Sequence, residues 1–72
     1  MNKRQKFEQV YVRYKPEVSR LVLGYVKGDE NQARDLVQDI FIKIWQNLDR
    51  FRGESDIGTW IYRISVNSCL MY

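Results

Sequence analysis

The chain has no histidine, one cysteine, one proline and four glycines among its 72 residues. Each scarcity excludes something. Without histidine and with Cys69 alone, a zinc site lacks its usual ligands, and no metal is expected. A lone cysteine also rules out an internal disulfide, which fits a reducing, cytoplasmic setting. No run approaches the roughly 20 apolar residues of a membrane span, and no signal-peptide pattern opens the chain, so membrane insertion is not expected. Carboxylates are plentiful, but none forms a recognisable acid–base pair and no nucleophile motif is present. The expectation is therefore not an enzyme, and no cofactor is implied.

What is present is apolar periodicity. Hydrophobic residues make up 44% and charged residues 29%, enough for one small folded domain and against disorder. A chain this short buries only about 60% of its unfolded surface. Residues 1–6 are polar and basic and are expected to fray. From Phe7 the positions Val10, Tyr11, Tyr14, Val18, Leu21, Val22 and Tyr25 keep helical spacing. Tyr11, Tyr14 and Tyr25 read as core-edge residues rather than as a base-stacking platform. Pro16 interrupts the run, predicting either a kink near Tyr14–Lys15 or two abutting helices. Gly28 is a stop signal, and Asp29 with Gln32 three residues on has the spacing of a capping box.

The second helix should run from about Glu30 to Leu48. Its inner face is complete: Ala33, Leu36, Val37, Ile40, Phe41, Ile44 and Leu48 follow a period near 3.6 without a miss. It also carries a second stripe, Asp35, Gln38, Ile42 and Trp45, with Asp39 beside it. Carboxylates, an amide and two large apolar side chains are unusual company for a face meant only for water. The plainer reading is a solvated face with Trp45 folded back on the core. A polar loop over 49–55 follows, with Gly53 at its turn. Ser55 or Asp56 then caps a third helix from about Ile57, whose buried positions should be Ile57, Trp60, Ile61 and Ile64. This third helix meets no stop signal and reads as cut by the end of the chain. The fold class is all-α, a bundle of three principal helices.

Charge is segregated. Residues 1–28 carry seven Lys/Arg against two Glu, residues 29–39 four acids against Arg34, and residues 40–72 four Lys/Arg against three acids. A basic wrap around an acidic patch suggests two surfaces, only one of which can approach phosphates. A duplex-reading helix-turn-helix domain would need base-reading side chains at the start of the third helix, and Ile57, Gly58 and Thr59 are poor ones. A helical protein-interaction module would use the second-helix stripe but leave Phe51 and Asn67 without a role.

Three blocks in order, D-L-V-Q-D at 35–39, L-D-R-F-R-G-E-S at 48–55 and T-W-I-Y-R-I at 59–64, closely resemble region two of bacterial sigma factors of the extracytoplasmic-function (ECF) branch. The resemblance covers the chain from about Phe7 onward. It implies a function in transcription initiation. Asp35, Gln38, Asp39, Ile42 and Trp45 would bind core RNA polymerase, on the clamp helices of its largest catalytic subunit. The promoter minus-ten element would be recognised as melted non-template strand. Its base pocket would be made by Asn47, Phe51, Ile64 and Asn67, with Arg50, Arg52 and Arg63 as phosphate contacts. An aromatic wall offers a stacking face to any base, and an amide can read one base edge. The resemblance further implies an anti-sigma factor as a partner. Housekeeping sigma factors wedge melted DNA with two adjacent tryptophans. Here Trp60-Ile61 keeps one, and Ile64 stands where they have a glutamine, so Trp60 is either half a wedge or mostly core. ECF factors carry a further helix-turn-helix domain for the minus-35 element; the chain reads as region two without it.

Overall fold

The computed structural model describes residues 2–53 and 55–72; Met1 and Glu54, the latter within the expected 49–55 loop, lie outside them. Three α-helices form the bundle, α1 (Lys3–Tyr25), α2 (Glu30–Asn47) and α3 (Ile57–Leu70), with a short 3-10 turn at Leu48–Arg50 after α2.

Helix α1 begins four residues earlier than its apolar pattern. The Asn2 side chain accepts from the Gln5 backbone N–H at 2.8 Å, and the Gln5 side chain accepts from the Asn2 N–H at 3.3 Å. This reciprocal cap satisfies donors that would otherwise fray the first turn. The helix then continues through Pro16 as one element of 23 residues. The carbonyl deprived of its partner belongs to Val12, which is 75% exposed, so water can replace the lost bond. Two abutting helices are thus not formed. The stop is a compact reversal: the Gly28 N–H donates to the Leu23 carbonyl at 3.0 Å, with Lys27 and Gly28 both at positive φ.

Asp29 caps α2 by accepting from the Gln32 N–H at 3.0 Å. Only this half of the expected box forms, because the Asp29 N–H donates instead to the Val26 carbonyl at 3.2 Å. The α2 inner face is buried throughout, with Ile40 and Ile44 fully so. Val10, Val18 and Val22 of α1 and Ile61 of α3 complete the core around it. Burying a Leu or Ile side chain contributes about 1.5–3 kcal/mol, so this face organises the domain.

Asp56, not Ser55, caps α3, accepting from the Gly58 and Thr59 N–H groups at 2.9 and 3.3 Å. The buried face of α3 differs from the apolar pattern. Ile61 is buried as expected, but Ile57, Trp60 and Ile64 are half-buried, while Ser65, Ser68 and Cys69 are buried. The Ser65 hydroxyl donates to the Ile61 carbonyl at 2.8 Å, and Ser68 Oγ accepts from Lys43 Nζ at 3.1 Å. With their polar atoms satisfied, these small residues can enter the core.

Candidate functional site

Two surfaces stand out, both organised around an aromatic side chain. The first lies on α2. Asp35, Gln38, Asp39, Ile42 and Trp45 are all exposed, Ile42 at 53% and Trp45 at 38%. Trp45 neither folds wholly onto the core nor stands free. Phe7 meets its ring edge-to-face at 5.3 Å, and Lys3 Nζ lies 4.3 Å above the ring. Such a cation–π contact contributes about 0.5–1 kcal/mol at an exposed site. The same ammonium pairs with Asp49 Oδ2 at 3.2 Å. Phe7, Tyr11, Gln38, Phe41, Ile42, Trp45 and Gln46 together line a shallow, largely apolar groove of about 420 Å³. A second hollow of about 400 Å³ between α1 and α2 shares Tyr11, Gln38 and Phe41 with it. An apolar groove with carboxylates on its flank suits a partner presenting a hydrophobic ridge beside basic residues.

The second surface is formed where the loop after α2 meets α3. Phe51 and Trp60 pack with ring centroids 5.1 Å apart and planes tilted by 44°. With Arg50, Arg52, Ser55 and Arg63 they line a cavity of about 310 Å³. Lys6 Nζ reaches to 5.8 Å from the Phe51 centroid. Two nearby acids among the described residues have other partners: Asp49 binds Lys3, and Asp56 caps α3. Among the described residues no carboxylate pairs with Arg50, Arg52 or Arg63. Aromatic faces beside guanidinium groups suit a single nucleic-acid strand, whose bases can stack on rings and whose phosphates can pair with cations.

Of the residues expected to read DNA, the cavity brings together Phe51, Arg52, Trp60 and Arg63, with Arg50. Asn47, Ile64 and Asn67 do not line it. The Asn47 side-chain amide donates to the Lys43 carbonyl at 2.8 Å, Ile64 packs against the core, and Asn67 is exposed on α3. Trp60 is half-buried against the core and also lines the cavity.

Sequence reasoning missed Lys3, Lys6 and Phe7 as neighbours of these surfaces. The signal was present in the Asn2–Gln5 capping spacing, which carries α1 far enough toward its amino terminus to reach both aromatics. Cys69 belongs to neither surface; it is buried, and burial pushes its thiol up. Among the described residues no helix is long and apolar enough to cross a membrane.

A family model described as Sigma-70 region 2 matches residues 10–72. The ECF RNA polymerase sigma-E factor of Escherichia coli is 44% identical over 66 residues, covering 92% of this chain and 34% of that protein. The sigma-E factors of Salmonella typhimurium and Haemophilus influenzae are 44% and 41% identical over the same length and shares. The chain thus spans about a third of the length of the curated relatives it matches. These relatives bear out the ECF resemblance drawn from the three sequence blocks. No solved structure matches the chain.

Proposed function

Because the chain belongs to the Sigma-70 region 2 family, we propose that it acts in transcription initiation through two surfaces. The α2 stripe docks on core RNA polymerase, at the clamp helices of the largest catalytic subunit. The Phe51–Trp60 cavity receives the melted non-template strand of a minus-ten element. The relatives' names attach them to RNA polymerase, and the same attachment is assigned to this chain.

The observation that carries the docking half is the exposure of Ile42 and Trp45 beside Asp35 and Asp39. An aromatic–aliphatic centre supplies desolvation energy, and the flanking carboxylates select a basic rim. For the strand half, the support is an aromatic pair among three arginines. Asn67 remains the candidate base reader, reached by a strand that leaves the cavity along α3. An anti-sigma protein would act by covering the Trp45 face. No catalysis is assigned.

The duplex-reading alternative finds no support. Its reading helix would enter the major groove by its first turn, yet a Cβ added at Gly58 there would lie 3.2 Å from the Tyr14 hydroxyl of α1. The Gly58 side of that turn packs against α1.

The test of docking is a titration against a recombinant clamp-helix fragment, wild type beside Asp39→Arg and Trp45→Ala. Saturable binding that both substitutions weaken is expected. A chain that is folded by circular dichroism yet does not bind would sink the docking assignment.

A further inference from the structure

Two lysines three residues apart on the first turns of α1 each lie over an aromatic ring, Lys3 over Trp45 at 4.3 Å and Lys6 over Phe51 at 5.8 Å. They are not equivalent. Lys3 is tied to the Asp49 carboxylate at 3.2 Å, whereas among the described residues no carboxylate pairs with Lys6. We propose that Lys6 is a phosphate-binding residue of the strand site: it stands over Phe51 in the free chain and moves to the phosphate of the nucleotide whose base takes its place on the ring. This rests on the reading of the cavity as a single-strand site, and it adds a residue that lies outside the matched positions 10–72.

The argument is one of competition for a ring. Two groups are set against Phe51: Trp60 at 5.1 Å and the Lys6 ammonium. An incoming base that stacks on this ring competes with one or the other. Trp60 is half-buried and packs against the core, so moving it disturbs α3. Lys6 ends in a compact charge on a flexible four-carbon stem and holds the ring at the outer limit of a cation–π contact. It is the neighbour that yields. Once displaced, its ammonium is free to pair with the phosphate of the nucleotide whose base has taken its place. Arg50, Arg52 and Arg63 line the cavity around the same ring, so Lys6 adds a cation contributed by a different helix. A strand held on Phe51 would thus meet cations from the loop, α3 and α1.

The experiment measures how binding of a fluorescein-labelled single-stranded DNA oligonucleotide to the 72-residue chain falls with salt. Each phosphate neutralised contributes about 0.7 to the slope of log affinity against log salt on a single strand. Lys6→Ala and Lys6→Gln should each lower the slope by about that amount, so that the affinity lost between about 50 and 200 mM KCl shrinks by about 2.6-fold. Lys6→Arg should keep the wild-type slope. Lys27→Ala, in the turn beyond the far end of α1, should also keep it. If the alanine variant does not fold, the glutamine variant decides, since it keeps part of the stem and a polar end without the charge. Saturable wild-type binding with an unchanged slope in the neutral variants would overturn the role of Lys6 alone. A wild-type chain with no saturable binding at low salt would overturn the strand reading and Lys6 with it.

Discussion

Trp45 and Phe51 invite comparison, because the fold gives them the same local device and opposite surroundings. Each is a partly exposed ring with a lysine from the start of α1 over it. Around Trp45 the neighbours are Ile42, Phe7 and the carboxylate-bearing stripe of α2. Around Phe51 they are Trp60 and three arginines. Ring and lysine are shared, so the difference in what each surface can hold comes from the second ring of residues. Carboxylates beside the first suit a basic protein rim, and guanidinium groups beside the second suit phosphates, as proposed above.

The comparison can be broken at its base. Ile44 is fully buried in the core that α2 shares with α1 and α3, and Ile44→Ala should cost about 2–5 kcal/mol. For a domain of this size total stability is only about 4–11 kcal/mol, so urea unfolding followed by circular dichroism should show a large loss. Both binding activities should fall together. If only one fell, the two surfaces would not share a core.

A narrower change should separate them. Trp45→Ala is expected to weaken docking on the clamp-helix fragment by about 2 kcal/mol or more, with single-strand affinity unchanged. Helicity should persist, because Trp45 is 38% exposed and its removal leaves the buried α2 face intact. Collapse of helicity would mean that Trp45 is core. On the other side, Asn67→Ala should reduce the preference for a minus-ten strand over a scrambled one by about 1–3 kcal/mol, the value of a good side-chain pairing with a base. Equal loss on both strands would reduce Asn67 to a non-specific contact.

The smallest effect concerns the tie between the surfaces. Asp49→Asn removes the Lys3–Asp49 pair that joins α1 to the turn before Phe51. The pair is solvent-accessible, so a loss of under about 1 kcal/mol is expected, diminishing as salt is raised. A larger, salt-independent loss would show that the turn depends on this contact for its position.

The parts of the molecule were unequally legible in the sequence. Helix α2 could be read nearly whole, because an 18-residue element with one unbroken apolar face leaves a single way to bury it. Helix α3 could not. Hydropathy favours Ile57, Trp60 and Ile64 over Ser65 and Ser68, yet the serines are buried because their hydroxyls find partners in Ile61 and Lys43. Whether a buried hydroxyl will be satisfied is a matter of three-dimensional neighbours and leaves no period in the chain. Pro16 misled for a related reason, since its cost depends on whether the freed carbonyl can reach water. The exposed stripe of α2 was visible as a pattern. The cavity was visible only in part: Phe51, Trp60 and the arginines were named, but the place of Lys6 beside Phe51 arises from the packing of α1 near the loop.

The most direct test of two separate surfaces is a paired titration of Trp45→Ala and Phe51→Ala, each against the clamp-helix fragment and against a single-stranded minus-ten oligonucleotide. Trp45→Ala should lose docking and keep strand binding, and Phe51→Ala should do the reverse. If both variants, shown to be folded, weakened both partners equally, the two aromatics would belong to one surface, and the division of labour between α2 and the Phe51–Trp60 cavity would be wrong.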